Sequence, residues 1–343
     1  MTILATELDS VRPNCRAPEP EWQKEVKLAV RDPAELCRLL GLPDELASAA
    51  RNSAGQFPLF VPRPYLGRIE RGNPADPLLR QVLPIVDELA DVPGFVADPL
   101  AEQSATRAAG MLQKYRGRAL LITTGACAVH CRYCFRRHFP YDEAPKSLAA
   151  WAPALAEIEA DPSIDEVILS GGDPLMLVDA TLASLVERLA SIPHLRRLRV
   201  HSRLPIVIPQ RVTDAMLAWL TGTRLTPVFV VHANHPAELD SAVGQSLARL
   251  SDARVLVLNQ AVLLRGVNDD EETLARLSER LIDLRVTPYY LHQLDAVAGA
   301  AHFAMPESRG LELVAALRAR LPGYAVPRYV REVPGATSKT PIL

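Results

Sequence analysis

Lysine is scarce in this sequence: of 38 lysines and arginines together, five are lysine, namely Lys24, Lys27, Lys114, Lys146 and Lys339. Chemistry that needs a primary amine therefore has few candidates, and C-terminal to Lys146 it has one. Cysteine is equally scarce, and an odd total of five argues against a disulfide framework and for a reducing compartment. An excess of one charge is also missing. The formal net charge of −2 excludes a global basic field for nucleic acid and an acidic interaction tail. No apolar run reaches membrane-spanning length, and the opening MTILATELDSVRPNC lacks a basic segment followed by an apolar core. The sequence thus reads as a cytoplasmic protein with neither membrane nor nucleic acid as partner. No internal repeat or low-complexity tract is found.

What is present falls into two rhythms. Residues 1–112 read as mostly helical and as a cover: DPAELCRLLGL has an Asp cap ahead of an amphipathic run, and DPLLRQVLPIVDEL is a second helical stretch. Between them FPLFVPRPYLGRIERGNPADP is rich in proline and is expected to wrap over a surface. From residue 113 to 330 short β-rich runs alternate with helical ones. Strands are expected at 119–124, 166–170, 198–202, 227–232, 254–258 and 287–291. Helices are expected near 147–160, 178–191, 213–220, 237–250, 271–284 and 308–320. Such alternation predicts an α/β fold of parallel strands with helical crossovers, and six units make a curled sheet short of an eight-fold barrel. Residues 331–343 form a separate C-terminal segment.

Polar residues gather where these strands end: a cysteine cluster after the first, SGGDP after the second, then HSR, HANHP, NQ and HQLD. Any one polar loop simply faces water. Six in succession predict one site at the carboxyl ends of the strands, where such loops converge.

The cysteines stand at 127, 131 and 134, spaced C-x3-C-x2-C. Thiolates so placed suit a zinc ion, with His130 or His138 as fourth ligand, or an iron-sulfur cluster with one iron left open for chemistry. Cys15 and Cys37 are isolated and expected to be structural.

With Tyr133 ahead of the last cysteine, the spacing resembles the radical S-adenosylmethionine (SAM) superfamily. That resemblance implies a partial (β/α)6 barrel, a [4Fe-4S] cluster on Cys127, Cys131 and Cys134, and reductive cleavage of SAM to a 5′-deoxyadenosyl radical. The series KYRGRALLITTGACAVHCRYCFRRHF, SGGDPL, SRLPIVIPQRVT, HANHP, NQAVLLRGVND, YYLHQLD and VPGATSKTP, in this order, resembles the lysine 2,3-aminomutase family. CRYCFRRHFPY is most similar to its short bacterial branch, the elongation factor P β-lysylation proteins. The resemblance implies an isomerase that turns L-α-lysine into β-lysine with pyridoxal phosphate (PLP) as a second cofactor and an external electron donor.

Carried over residue by residue, it implies that Ser170, Gly171, Gly172, Asp173, His232 and Gln260 surround SAM, with Tyr133 at the cofactor. Lys339 becomes the lysine that carries PLP, and Arg118 and Tyr115 lie near its phosphate. Arg136 would hold the substrate α-carboxylate, which suits a planar fork. Asp295 and Glu332 would meet the substrate's terminal ammonium, a cation costly to bury without a carboxylate. Two carboxylates also favour lysine over glutamate, though arginine or glutamate as substrate, or a zinc-stabilised scaffold without activity, are the alternatives. The sequence departs from the longer members of the family in having GATSK before the PLP lysine rather than a glycine run. It also ends four residues later, without their cysteine-bearing tail, so a monomer or homodimer is expected.

Overall fold

The computed structural model describes residues 19–55, 57–141, 145 and 147–343. Cys15 and the opening stretch considered above lie outside the described residues. Ten strands form one sheet in chain order: β1 (Thr106–Ala108), β2 (Met111–Leu112), β3 (Arg118–Thr124), β4 (Glu166–Gly171), β5 (Arg197–His201), β6 (Thr226–Val231), β7 (Leu256–Val262), β8 (Thr287–His292), β9 (Arg328–Arg331) and β10 (Thr340–Pro341). β3 through β9 are parallel. β1, β2 and β10 add antiparallel edges.

All six expected strands are present, followed by a seventh parallel one, β9, which the sequence reading lacked. It is four residues long with an arginine at each end, so only its two central residues are buried and its apolar signal is weak. β7 begins at Leu256 rather than at 254 because Arg254 takes a left-handed φ of 61° in the turn before it.

Helices Leu148–Ala160, Asp179–Ala190, Asp214–Thr221, Ser241–Asp252, Glu271–Asp283 and Glu307–Arg320 follow the strands within a few residues of expectation. Ser147, Thr213, Asp240 and Asp270 cap their first turns by accepting a hydrogen bond from a backbone N–H three residues on. In Glu271–Asp283 the buried residues Leu274, Ala275, Leu277, Ser278 and Leu281 lie on one stripe, which packs against the sheet. Each such leucine contributes about 1.5–3 kcal/mol by leaving water.

The cover is less regular than its sequence suggests. Asp32 does cap Pro33–Leu40, which stops at Gly41 with φ +67°. The run from Asp76 to Leu89, however, gives only Pro77–Arg80 and a separate 3₁₀ turn at Val86–Leu89. Pro84 lies between them, and a proline there cannot donate to a continuing helix. No helix among the described residues is long and apolar enough to cross a membrane.

Candidate active site

A cavity of about 760 Å³ occupies the concave side of the sheet. Its lining includes alternate positions along the strands, 118 and 120, 168 and 170, 199 and 201, 260 and 262, 290 and 292, then 328 and 330, with Ala119, Gly171 and Tyr289 beside them. That is the alternation by which successive side chains point to opposite faces of a strand. The cavity therefore runs along the strands. It reaches from Arg118, the first residue of β3, to the cysteine loop beyond its end, a span of roughly 20 Å at about 3.3 Å per residue. This explains why Tyr115 and Arg118, which precede or open a strand, share a site with residues at strand ends. All the residues singled out from the sequence border this one space: Cys127, Cys131, Cys134, Tyr133, Arg136, Ser170, Gly171, Gly172, Asp173, His232, Gln260, Tyr115, Arg118, Asp295, Glu332 and Lys339.

At the carboxyl end lies the cysteine loop, unpaired by any disulfide. Burial pushes the Cys127 thiol well up, with Asp173 and the neighbouring thiols adding to the effect, and pushes Cys134 up to about 11. Such thiols stay protonated unless a strong cation binds them. The two histidines considered as zinc ligands are engaged elsewhere. His130 Nδ1 is 2.8 Å from the carbonyl of Pro58 and its ring stacks on Phe57, while His138 Nε2 is 3.1 Å from the carbonyl of Ala298. Among the described residues no group of three or more His, Cys, Asp or Glu is arranged to hold a single metal ion. With both nearby histidines bonded elsewhere, the three cysteines of C-x3-C-x2-C suit a cluster with one open iron better than a four-ligand zinc site.

The glycines of SGGDP are required by close approach. A Cβ on Gly171, whose φ is +118°, would meet the carbonyl oxygen of Thr124 at 2.6 Å, and one on Gly172 that of Ala126 at 2.4 Å. They let β4 press against the start of the cysteine loop. Asp173 lines the cavity, and its carboxylate accepts hydrogen bonds from the N–H groups of Leu175, Arg203 and Leu204 and from Ser202 Oγ. It fastens the β4 loop to the β5 loop, with its acidity weakened by burial to about 6. Tyr133 also lines the cavity and packs edge-on to Phe303 in a small apolar cluster. His232 touches Gln260, and burial lowers it to about 3, so it is neutral.

Across the cavity runs a chain of alternating charges. Arg136 gives Nε and Nη2 to the two oxygens of Glu102, at 2.7 and 2.8 Å, and Nη1 to Ser170 Oγ. Glu102 also meets Lys114 at 3.1 Å, Lys114 meets Glu332 at 2.8 Å, and Glu332 meets Lys339 at 2.6 Å. Burial works against Glu332's charge, but Lys339 and Lys114 outweigh it and hold the carboxyl down to about 2. Asp295 makes no ion pair among the described residues, and Lys339 and Lys114 offset its burial only in part. Burial, reinforced by Glu332, raises it to about 7.

Sequence reading missed Glu102 and Lys114 as members of this chain, together with Arg199, His201 and Arg203. Glu102 gave no signal. His201 stood in the HSR motif without a role, and Lys114 was one of five lysines.

Residues 121–278 match the Radical SAM superfamily. The L-lysine 2,3-aminomutase of Escherichia coli is 48% identical over 323 residues, covering 94% of each chain. That of Haemophilus influenzae is 46% identical, covering 94% of this chain and 95% of its own. The chain belongs to the L-lysine 2,3-aminomutase family. The similarity extends to the longer aminomutase of Clostridium subterminale, at 34% identity over 94% of this chain and 78% of that one.

Family membership brings a [4Fe-4S] cluster, SAM and PLP as cofactors. The cavity's donors fit an anionic second cofactor. Tyr115 Oη, Arg118 Nε, Arg199 Nε and His201 Nε2 are buried without hydrogen-bond partners, all on the cavity wall. Arg118, stacked over Tyr115 at 4.9 Å, has no carboxylate partner among the described residues. Unpartnered polar groups at the deep end, with Arg118 as a cation free of any carboxylate among the described residues, are what a phosphate would satisfy.

Proposed function

We propose that this chain converts L-α-lysine to β-lysine by moving the α-amino group to the β-carbon. The single observation that carries the reading is the 48% identity, over 94% of both chains, to an aminomutase of that name. The arrangement of the cavity supports it. When bound, the cluster and SAM would supply hydrogen-atom abstraction at the β-carbon, and PLP a carbonyl that takes the migrating nitrogen.

Cys127, Cys131 and Cys134 would hold the cluster at the rim, with Ser170, Gly171, Gly172, His232 and Gln260 beside SAM. Lys339, held over the cavity because β10 pairs with β9 immediately after it, would carry PLP, whose phosphate would reach Arg118 and Tyr115 at the deep end. Glu332, held ionised by Lys114 and Lys339, and Asp295 beside it would meet the substrate's terminal ammonium. A glutamate side chain would instead face two carboxylates. Arg136 stands on the opposite bank for the α-carboxylate. One edge of its fork already belongs to Glu102, so the substrate would use Nη1 and the remaining hydrogen of Nη2. An external one-electron donor is required. The resemblance to the elongation factor P branch supports β-lysine's use in modifying that factor.

A Lys339→Ala variant tests the reading. Loss of the protein-bound PLP absorption band and of lysine isomerisation, with iron and sulfide retained, is expected. Retention of both the band and the reaction would remove the assignment. Turnover of arginine or glutamate in preference to lysine by the unaltered protein would move it to another substrate.

A further inference from the structure

We propose that Arg203 tunes the reduction potential of the cluster through Cys131, as a positioning residue that donates a charge-assisted hydrogen bond to the ligand sulfur. The inference rests on the cluster assignment made above. Arg203 Nη1 lies 2.7 Å from Cys131 Sγ. Its other terminal nitrogen is gripped by Gln81 Oε1 at 2.7 Å and Glu238 Oε2 at 2.8 Å, and its backbone N–H by Asp173 at 2.8 Å. The guanidinium sits 5.6 Å from the ring centres of both Tyr65 and Tyr133.

This is an over-determined position. Glu238 is wholly buried and is itself held by the N–H groups of Asn234 and His235 and by Gln81 Nε2. Burying a guanidinium is costly, and Glu238 compensates it on one side only. On the other side the remaining donor points at sulfur. Hydrogen bonds to ligand sulfurs and nearby charge are among the main determinants of cluster potential. One electron arriving from an external donor makes the cluster more negative by one charge. A cation and N–H donor fixed against Cys131 Sγ stabilise that reduced form and so raise the midpoint. Glu238, by its opposite charge, limits the rise. Because Gln81 and Tyr65 belong to the cover, the N-terminal region takes part in setting the potential.

The test is an EPR-monitored redox titration of anaerobically purified full-length protein, with iron and sulfide measured alongside. Arg203→Gln is expected to retain iron and to lower the equilibrium constant for one-electron reduction about tenfold, a midpoint about 59 mV more negative. Glu238→Gln, with Gln81 still holding Arg203, is expected to shift the midpoint in the positive direction. An Arg203→Gln protein with full iron and an unmoved midpoint overturns the proposal. Should that variant lose its cluster, Glu238→Gln decides: a positive shift supports the role, and no shift or a negative one overturns it. Wild-type protein lacking iron and sulfide would overturn both this role and the cluster assignment, whereas an intact cluster indifferent to both substitutions overturns this role alone.

Discussion

The cover and the barrel hold their charges in opposite ways. The barrel strands carry buried nitrogens without partners on residues of the cavity wall, Arg118 Nε, Arg199 Nε and His201 Nε2, although Arg199 also pairs with Glu166 through Nη2. The cover sends in carboxylates that neutralise the arginines of the cysteine loop: Glu88 binds Arg132 and Arg137, and Glu102 binds Arg136. At the deep end the unsatisfied groups suit a ligand, and at the rim the ion pairs hold the loop. The difference divides the site into a deep end open to an anion and a rim held rigid by the N-terminal region.

The largest effect should come from breaking the rim. Arg132 is fully buried, and its guanidinium bonds to Glu88 and to the Phe57 carbonyl. Removing one partner of a buried pair leaves an uncompensated charge and costs about 3–5 kcal/mol. Glu88→Ala is therefore expected to lose about that much stability in chemical denaturation. A loss below about 1 kcal/mol would show that the cover does not fix the cysteine loop, since exposed pairs contribute no more than that.

Next comes the link between the two banks. Glu102→Gln keeps the shape but removes the charge that Arg136 and Lys114 share, a charge these two cations favour against the cost of burial. Lysine KM is expected to rise about tenfold, equivalent to about 1.4 kcal/mol, with iron content unchanged. Unaltered KM would place Glu102 outside the substrate's reach and confine the cover to a structural part.

An effect of about the same size, spread over a pH range, tests the barrel side. The Asp295 carboxyl, raised to about 7, is mostly protonated at pH 6 and mostly ionised at pH 8. A cationic substrate end prefers the ionised form, so lysine affinity should rise about tenfold over that range, in proportion to the ionised fraction. Asp295→Asn should flatten the profile. Stability has the opposite sign: a carboxyl whose folded pKa is raised loses stability as pH climbs from its unfolded value of 3.8 through about 7. The Asn variant without ligand should accordingly be more stable than wild type at pH 8 and lose that advantage below pH 4. A steep affinity profile in the variant would assign the pH dependence to another group.

The barrel was largely legible in the sequence because its signals are local. β-branched runs such as VFVVH and LLITT mark strands, caps such as Ser147 and Asp270 mark helix starts, and three cysteines on one loop cluster whatever surrounds them. Lys339 stood out through the scarcity of lysine. Glu102, Lys114 and Arg203 did not, because their meaning lies in partners far along the chain: Glu332 is 218 residues from Lys114, and Cys131 is 72 from Arg203. On an irregular segment a lone glutamate looks the same whether it meets water or an arginine. The broken helix between Asp76 and Leu89 was readable in principle from Pro84, and β9 was too short to announce itself.

The smallest effect is expected where neither burial nor a ligand gives an ion pair leverage. Arg309 and Glu312 pair at 2.9 Å, three residues apart on helix Glu307–Arg320, with side chains 42% and 64% exposed. The distance is comparable to that between Arg136 and Glu102, so proximity alone would rank the two pairs equally. Solvent screens the exposed pair, and fixing two long side chains costs entropy, so such pairs contribute a few tenths of a kcal/mol. Arg309→Ala is expected to change unfolding stability by less than about 0.5 kcal/mol and lysine turnover not at all. A loss approaching that of Glu88→Ala would show that burial is not what separates the cover's ion pairs from ordinary surface ones, and the contrast between rim and deep end would have to rest on the orphaned donors alone.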